Sequence, residues 1–141
     1  MSSNDLQSVK EELIKAGLEI YRTRPAEIEI AERVRLHIMD SGIRVDENLS
    51  VTFTARTQRS DYPSVAPEQL FAKVREIVGQ DALGRGYVEN DVRTVDVKDP
   101  MDDARTLDVW HEVVYSKEAG SVEVVVEEVR WALTIEKYVA P

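Results

Sequence analysis

Apolar residues repeat at either helical or strand spacing along most of the chain. Helical spacing predicts a first helix, capped by Asn4 or Asp5 and ending near Gly17, and a second helix over residues 64–79. Strand-like runs, rich in β-branched residues or alternating, predict six strands over residues 18–21, 27–39, 49–58, 87–97, 107–115 and 122–139. The predicted order is therefore α-β-β-β-α-β-β-β.

Residues 27–39 fit two templates. A helix would leave Ile30 and Leu36 off its apolar face, whereas a strand leaves only Glu32 as a misfit. The strand template places five apolar side chains on one face, those of Ile28, Ile30, Val34, Leu36 and Ile38. Strand is therefore the prediction, followed by a turn at residues 40–42.

The end of the chain, residues 106–139, is typical of a long β-hairpin. Two runs rich in β-branched and aromatic residues flank a polar segment that ends in Gly120 and Ser121. In the second run the apolar phase slips by one residue near Glu127 and Glu128, as a β-bulge would require. Beyond the slip four apolar residues share one strand face, and we predict that they form core or a contact surface for another chain: Val129, Trp131, Leu133 and Ile135.

These elements predict an α+β fold. Two helices would pack on a mostly antiparallel sheet that ends in the long C-terminal β-hairpin. The length of 141 residues suggests a single domain over residues 1–141, large enough to bury its own core.

Composition narrows the function classes. A net charge of −9 disfavours sequence-specific nucleic-acid binding, because affinity for phosphates comes mainly from Lys and Arg. No run approaches the ~20 apolar residues that span a bilayer, so no membrane partner is expected. The absence of cysteine excludes disulfides and thiolate metal sites. With no signal-like N-terminus, the expected location is cytoplasmic, or the virion if a phage encodes the chain.

Few residues could carry chemistry. His37 and Asp40 could touch on a helix, but on the predicted strand they point to opposite faces. His111 lies on the apolar face of the hairpin and is predicted to be a hydrogen-bonded core residue. A carboxylate cluster at Asp96, Asp99, Asp102 and Asp103 lacks the spacing of an EF-hand calcium loop, and a solvated loop is the prediction. We therefore predict no catalytic, cofactor or metal site, and hence not an enzyme.

The order of elements resembles that of tailed-phage tail-terminator proteins. The residues that carry the resemblance are the strand over 49–58, the helix over 67–78 and the segment 92–115, within residues 4–115. Members of that family are small α+β subunits that form a ring at the head-proximal end of the tail tube. The resemblance implies a ring-forming structural protein without catalysis.

Three hypotheses follow. The first is a structural or assembly subunit whose partners are further copies of itself or other structural proteins. The alternative is a cytoplasmic bacterial adaptor or regulatory domain that dimerises through the C-terminal hairpin. An enzyme or small-ligand binder with a pocket between helix and sheet stays open as a third.

Overall fold

A computed structural model describes residues 5–141. Its helical elements are α1 Leu6–Lys15, α2 Pro67–Val74, a π-helical turn Arg75–Gly79, α3 Gln80–Gly84 and α4 Val122–Thr134. Its strands are β1 Ile20–Thr23, β2 Glu27–Val34, β3 His37–Asp46, β4 Ser50–Gln58, β5 Val88–Asp99 and β6 Asp102–Glu118. A short 3-10 helix, Arg59–Asp61, follows β4. Because α2, the π turn and α3 are continuous, the described chain has three helical segments.

The six strands form one antiparallel sheet in the order β1-β2-β3-β4-β6-β5. This arrangement confirms the predicted α+β class. The outer strands of the sheet are β1, with 4 residues, and β5, with 12. Among residues 5–141 no helix combines the length and the apolar content needed to cross a membrane.

Backbone proximity divides the chain into two compact units. Unit 1 comprises the residues up to Phe53 together with Ser116–Ile135, and unit 2 comprises Thr54–Tyr115 with Glu136–Pro141. Strands β4 and β6 each contribute residues to both units. The prediction of a single domain stays a prediction.

Unit 1 buries the inner faces of α1, α4 and the strands β2, β3 and β4. Asp5 caps α1 by accepting a hydrogen bond from the Gln7 amide at 3.0 Å, while the alternative cap, Asn4, lies outside the described residues. Arg130 of α4 donates a 2.6 Å hydrogen bond to the Ala16 carbonyl just after α1. The apolar core of the unit includes Val9, Leu13, Ile28, Ile30, Ile43, Val45, Val51, Phe53, Val125 and Val129.

The prediction of strand for residues 27–39 is confirmed, but the run belongs to two strands and not to one. A turn at Arg35 and Leu36 divides the run, so that Val34 pairs with His37 across a hairpin. The turn predicted at residues 40–42 is wrong, because these residues lie inside β3. Asp40 accepts a hydrogen bond from the Gly42 amide at 2.9 Å, and Gly42 has φ of +80°. The β2–β3 register shifts beside them, so the turn-like sequence forms a bulge.

The prediction of a strand over residues 122–139, as the second arm of the C-terminal hairpin, is wrong, because residues 122–134 form α4. Gly120 has φ of +80°, which ends β6, and the Ser121 hydroxyl accepts a hydrogen bond from the Val124 amide at 3.3 Å as an N-cap. The buried face of α4 repeats at helical spacing: Val125, Glu128, Val129 and Ala132. Buried residues of a helix repeat every 3.6 positions, whereas those of a strand repeat every 2. The apparent phase slip near Glu127 and Glu128 therefore arises because a helical pattern does not fit the strand period.

Unit 2 packs the helical segment over residues 67–84 with parts of β4 and β6. The predicted helix 64–79 is confirmed from Pro67, but it continues through the π turn and α3 to Gly84. Thr57 of β4, fully buried, donates a 3.4 Å hydrogen bond to the Leu70 carbonyl of α2. The apolar core of the unit includes Ala55, Leu70, Val74, Val78, Ala82, Tyr87, Val109, Val113 and Tyr115.

Candidate functional site

The hairpin of β5 and β6 exposes an unusual length of chain. No residue from 88 to 107, a range that the structure describes in full, is buried. Large apolar side chains lie on its surface, including Met101 at the turn, which is 91% exposed, and Val92 in the middle of β5, which is 37% exposed. Val88 and Leu107 are also exposed near the base. These four exposed apolar side chains are spread along residues 88–107.

Ion pairs and polar contacts of side chains link β5 to β6 and to the π turn. Arg93 of β5 donates to the Glu112 carboxylate of β6 at 2.7 Å, and Glu112 is itself buried. Arg75 of the π turn donates to Glu89 at 2.7 Å, and this hydrogen bond raises the pKa of Arg75 above its ordinary value. Lys98 donates to the Thr106 hydroxyl at 2.9 Å nearer the turn. β5 therefore keeps a fixed position while its outer edge faces solvent.

A second exposed surface is the turn of the β2–β3 hairpin. Residues 33–40 are all exposed, and Leu36 at the turn is 93% exposed. Arg35 beside it has φ of +59°, in the left-handed region that a non-glycine residue adopts at some cost. This turn combines apolar side chains with the positive charge of Arg33 and Arg35. Arg33 pairs with Glu19.

The four predicted interface residues lie in α4 or directly after it, and their role as an interface stays a prediction. Val129 is fully buried in α4, and Trp131 is half-buried with its ring against Phe53. Leu133 is half-buried on the same helix, and Ile135 follows its end. The common strand face on which the interface prediction rested is absent, because residues 129–133 are helical.

The two histidines lie in different environments. His37 is exposed near the β2–β3 turn, and the nearby Asp40 instead accepts two 2.8 Å hydrogen bonds from Arg44. Burial raises the pKa of Asp40, but the hydrogen bonds from Arg44 and the Gly42 amide outweigh it and hold the pKa below its ordinary value.

His111 is buried, as predicted, with its ring edge-on to Phe71 at 5.2 Å between centroids. Within the described residues its Nδ1 atom has no hydrogen-bond partner, which corrects the expectation of a hydrogen-bonded core residue. Burial, and then the charge of Arg59, lower the pKa of His111. A neutral imidazole is therefore favoured in the folded chain.

The carboxylates at residues 96, 99, 102 and 103 lie along the exposed hairpin, and Asp99 pairs with Arg105 at 3.8 Å. Within residues 5–141 no group of three or more His, Cys, Asp or Glu side chains is arranged to hold a metal ion.

Arg56 anchors the C-terminal segment, a feature that the sequence analysis missed. Its backbone amide donates to the Lys137 carbonyl, and the Val139 amide donates to the Arg56 carbonyl, both at 2.8 Å. The Arg56 guanidinium lies 4.1 Å from the ring centroid of Trp110 and 5.4 Å from that of Tyr138. The Tyr138 hydroxyl donates a hydrogen bond to Asp61. The aromatic side chain of Tyr138 was the signal in the sequence that could have indicated that this segment packs against the rest of the unit.

The strand predicted over residues 87–97 is confirmed as β5, but its exposure was not predicted. Its four valines are separated by charged and polar residues. Low apolar content in a 12-residue strand was the signal that could have identified a solvent-facing edge. Comparisons with protein-family models, with curated protein sequences and with solved structures give no match to this chain.

Proposed function

We propose that the chain is a non-catalytic structural or assembly subunit that binds further copies of itself. The observation that carries this proposal is the exposed β5–β6 hairpin. Its residues 88–107 contribute no buried side chain to unit 2, yet they include Val88, Val92 and Met101.

The energetics of a β-ribbon support the proposal. A two-stranded hairpin is marginally stable alone in water. Burial of apolar surface contributes roughly 25 cal/mol per Å², and the exposed apolar side chains of this hairpin do not gain that free energy. The outer edge of β5 also presents backbone N–H and C=O groups to solvent. Contact with another chain would cover both features, whereas solubility alone requires neither.

The residues available for proton transfer support a non-catalytic role. His37 lies on an exposed turn, where Asp40 is already engaged by Arg44. His111 is enclosed beside Phe71, and its Nδ1 atom lacks a carboxylate or carbonyl partner within the described residues. A carboxylate or carbonyl partner that would orient the ring is absent for both histidines in residues 5–141.

The finer form of the proposal is a ring-forming subunit of the tail-terminator kind, acting in the virion. It is supported by the elements on which the resemblance rests: β4, the helical segment that begins at Pro67, and the pair β5 and β6, which occupy the expected positions along the chain. The chain then adds α4, where the sequence analysis expected another strand.

A second candidate is an adaptor that works as a two-fold dimer. The C-terminal hairpin expected to carry a dimer is absent, because residues 122–134 form α4 instead of its second strand. The observation that favours a dimer is instead the long outer strand β5, which could pair with its own copy.

Light scattering over a dilution series tests self-association. We expect the mass to rise with concentration above the 16.0 kDa of one chain. A plateau at twice that mass indicates the dimer, and a larger closed number indicates a ring. Val92→Ser removes an exposed apolar side chain of β5 without touching the core, and a weaker association in this variant would place β5 at the contact. A mass of one chain at every concentration would overturn the proposal.

A further inference from the structure

The two outer strands of the sheet differ in how well they are protected. β1 is 4 residues long, which is one of the ways in which proteins blunt a sheet edge. β5 is 12 residues long, contains no proline, and has no strand beyond it in the described chain. Its outer backbone groups are therefore available to a strand from another molecule.

The charges of β5 indicate what that strand is. Asp91 makes no ion pair within the described residues, and it lies two positions before Arg93. Arg93 uses its Nε atom toward Glu112, which leaves the outer nitrogens of the guanidinium free to contact a further carboxylate. A strand that runs antiparallel to β5 and carries the same sequence can supply that carboxylate.

Symmetry restricts the registers that two copies can adopt. When identical strands pair antiparallel about a two-fold axis perpendicular to the sheet, opposed side chains must point to the same face. One residue must therefore lie directly opposite its own copy, and the axis passes midway between these two copies. Each possible central residue fixes every other pair in the contact.

Most of these registers bring like charges together. An axis at Arg93 opposes two arginines, and an axis at Asp91 or at Asp96 opposes two aspartates. An axis at Asn90 opposes Glu89 to Asp91. Registers centred at residues 94 and 95 oppose Asp99 to another acid, Glu89 or Asp91 respectively. Like charges directly opposite one another destabilise a sheet.

An axis at Val92 avoids these conflicts. It opposes Val92 to its own copy, and it places Asp91 of each chain opposite Arg93 of the other. The overlap covers residues 88–96, whereas an axis at Val97 would also pair opposite charges but overlap only over residues 95–99.

We propose that two copies of the chain pair antiparallel through β5, with Val92 on the two-fold axis and Asp91 opposite Arg93 of the second copy. The inference rests on the proposed self-association and names the contact of its dimeric form, because a two-fold contact closes at two copies. It joins the two sheets into one, and it covers the exposed edge of each β5.

Because the chain has no cysteine, single substitutions report the contact between copies directly. Directly opposed residues have Cα atoms about 4.5–5.5 Å apart, within the range of a disulfide. We expect Val92→Cys to form a disulfide-linked dimer alone under mild oxidation. Asn90→Cys and Thr94→Cys should each fail to link alone, since their copies would be about 13 Å apart. A mixture of these two variants should link, because residue 90 opposes residue 94.

A charge reversal tests the register independently. Asp91→Arg should weaken self-association about tenfold or more, because two favourable pairs become two repulsive ones. Asp103→Arg is the matched control, with the same change of charge on the same exposed hairpin but outside the contact. It should associate no more weakly than the unmodified chain.

The outcomes separate this inference from the proposed function. If the unmodified chain gains mass with concentration but Val92→Cys does not link, the β5 contact is wrong and self-association stands. Equal linking by all three cysteine variants alone would indicate parallel or non-specific contact and would also overturn the inference. A chain that never gains mass overturns the proposed function as well, and would leave β5 to a strand of a different protein.

Discussion

The indole of Trp131 meets the phenyl ring of Phe53 edge to face, with ring centroids 5.8 Å apart and ring planes at 71°. The contact joins α4 to β4 within unit 1. Edge-to-face pairs contribute beyond the area that they bury. Trp131 therefore contributes to the packing of α4, rather than presenting a free surface on a strand.

Replacement of Trp131 by alanine should consequently destabilise the fold. We expect Trp131→Ala to lower the free energy of unfolding by about 1–3 kcal/mol, less than for a fully buried tryptophan because the side chain is half-buried. Urea unfolding followed by circular dichroism measures the change. Leu36→Ala, at an almost fully exposed position, is the control and should change stability little. If Trp131→Ala instead lowers the mass by light scattering and leaves stability unchanged, Trp131 is an interface residue.

Alternation along the chain predicted the strands wherever one face of the sheet is buried. In β4 every second residue from Val51 to Thr57 is buried, so the period of two is visible in the sequence. The same reasoning failed for α4, because three consecutive valines have high β-propensity while their burial follows helical spacing. Tertiary packing and the Ser121 cap outweighed propensity there.

The candidate contact surface could be predicted less well than the fold. The valines of β5 look the same in sequence whether they face a core or solvent, and only the strand order places β5 at the edge. The turn at Leu36 was missed for a related reason. An apolar residue at a turn continues the alternating pattern, so nothing in the local sequence marks the break between β2 and β3.

Gly79 in the π turn lies against Tyr115. A Cβ atom built at Gly79 would lie 2.6 Å from the Tyr115 hydroxyl oxygen, whereas one at Gly84 meets nothing within 4 Å. We expect Gly79→Ala to lower the free energy of unfolding by about 1–3 kcal/mol through overpacking. Gly84→Ala should raise it by roughly 0.5–1 kcal/mol, because alanine restricts the unfolded chain and favours helix.

A double-mutant cycle isolates the contact between Gly79 and Tyr115. Tyr115→Phe removes the oxygen, after which the nearest ring carbon is 3.5 Å from the added Cβ. In that background Gly79→Ala should cost much less than in the unmodified chain. Equal costs in the two backgrounds would show that the hydroxyl is not what excludes a side chain at position 79.

The buried imidazole of His111 should make stability depend on pH in one direction. Burial and the charge of Arg59 lower its pKa below the ordinary value of 6.5, so the folded chain resists protonation that the unfolded chain accepts. Between these two pKa values the unfolded state binds more protons. The stabilising contribution is therefore present above about pH 6.5 and is lost as the pH falls toward the pKa of the folded state.

Urea unfolding midpoints at several pH values from about 7.5 to 5.5 measure this loss, over the range in which histidine titrates. We expect the midpoint to fall with decreasing pH in the unmodified chain, and the slope to be smaller in His111→Gln, which cannot be protonated. His37→Gln is the matched control, because His37 is exposed, and it should retain the slope. The carboxylates of Asp40 and Asp108, whose pKa values are lowered, act only at more acidic pH, near and below 3.8. A slope that persists unchanged in His111→Gln would show that another group titrates on unfolding and that His111 is not enclosed as described.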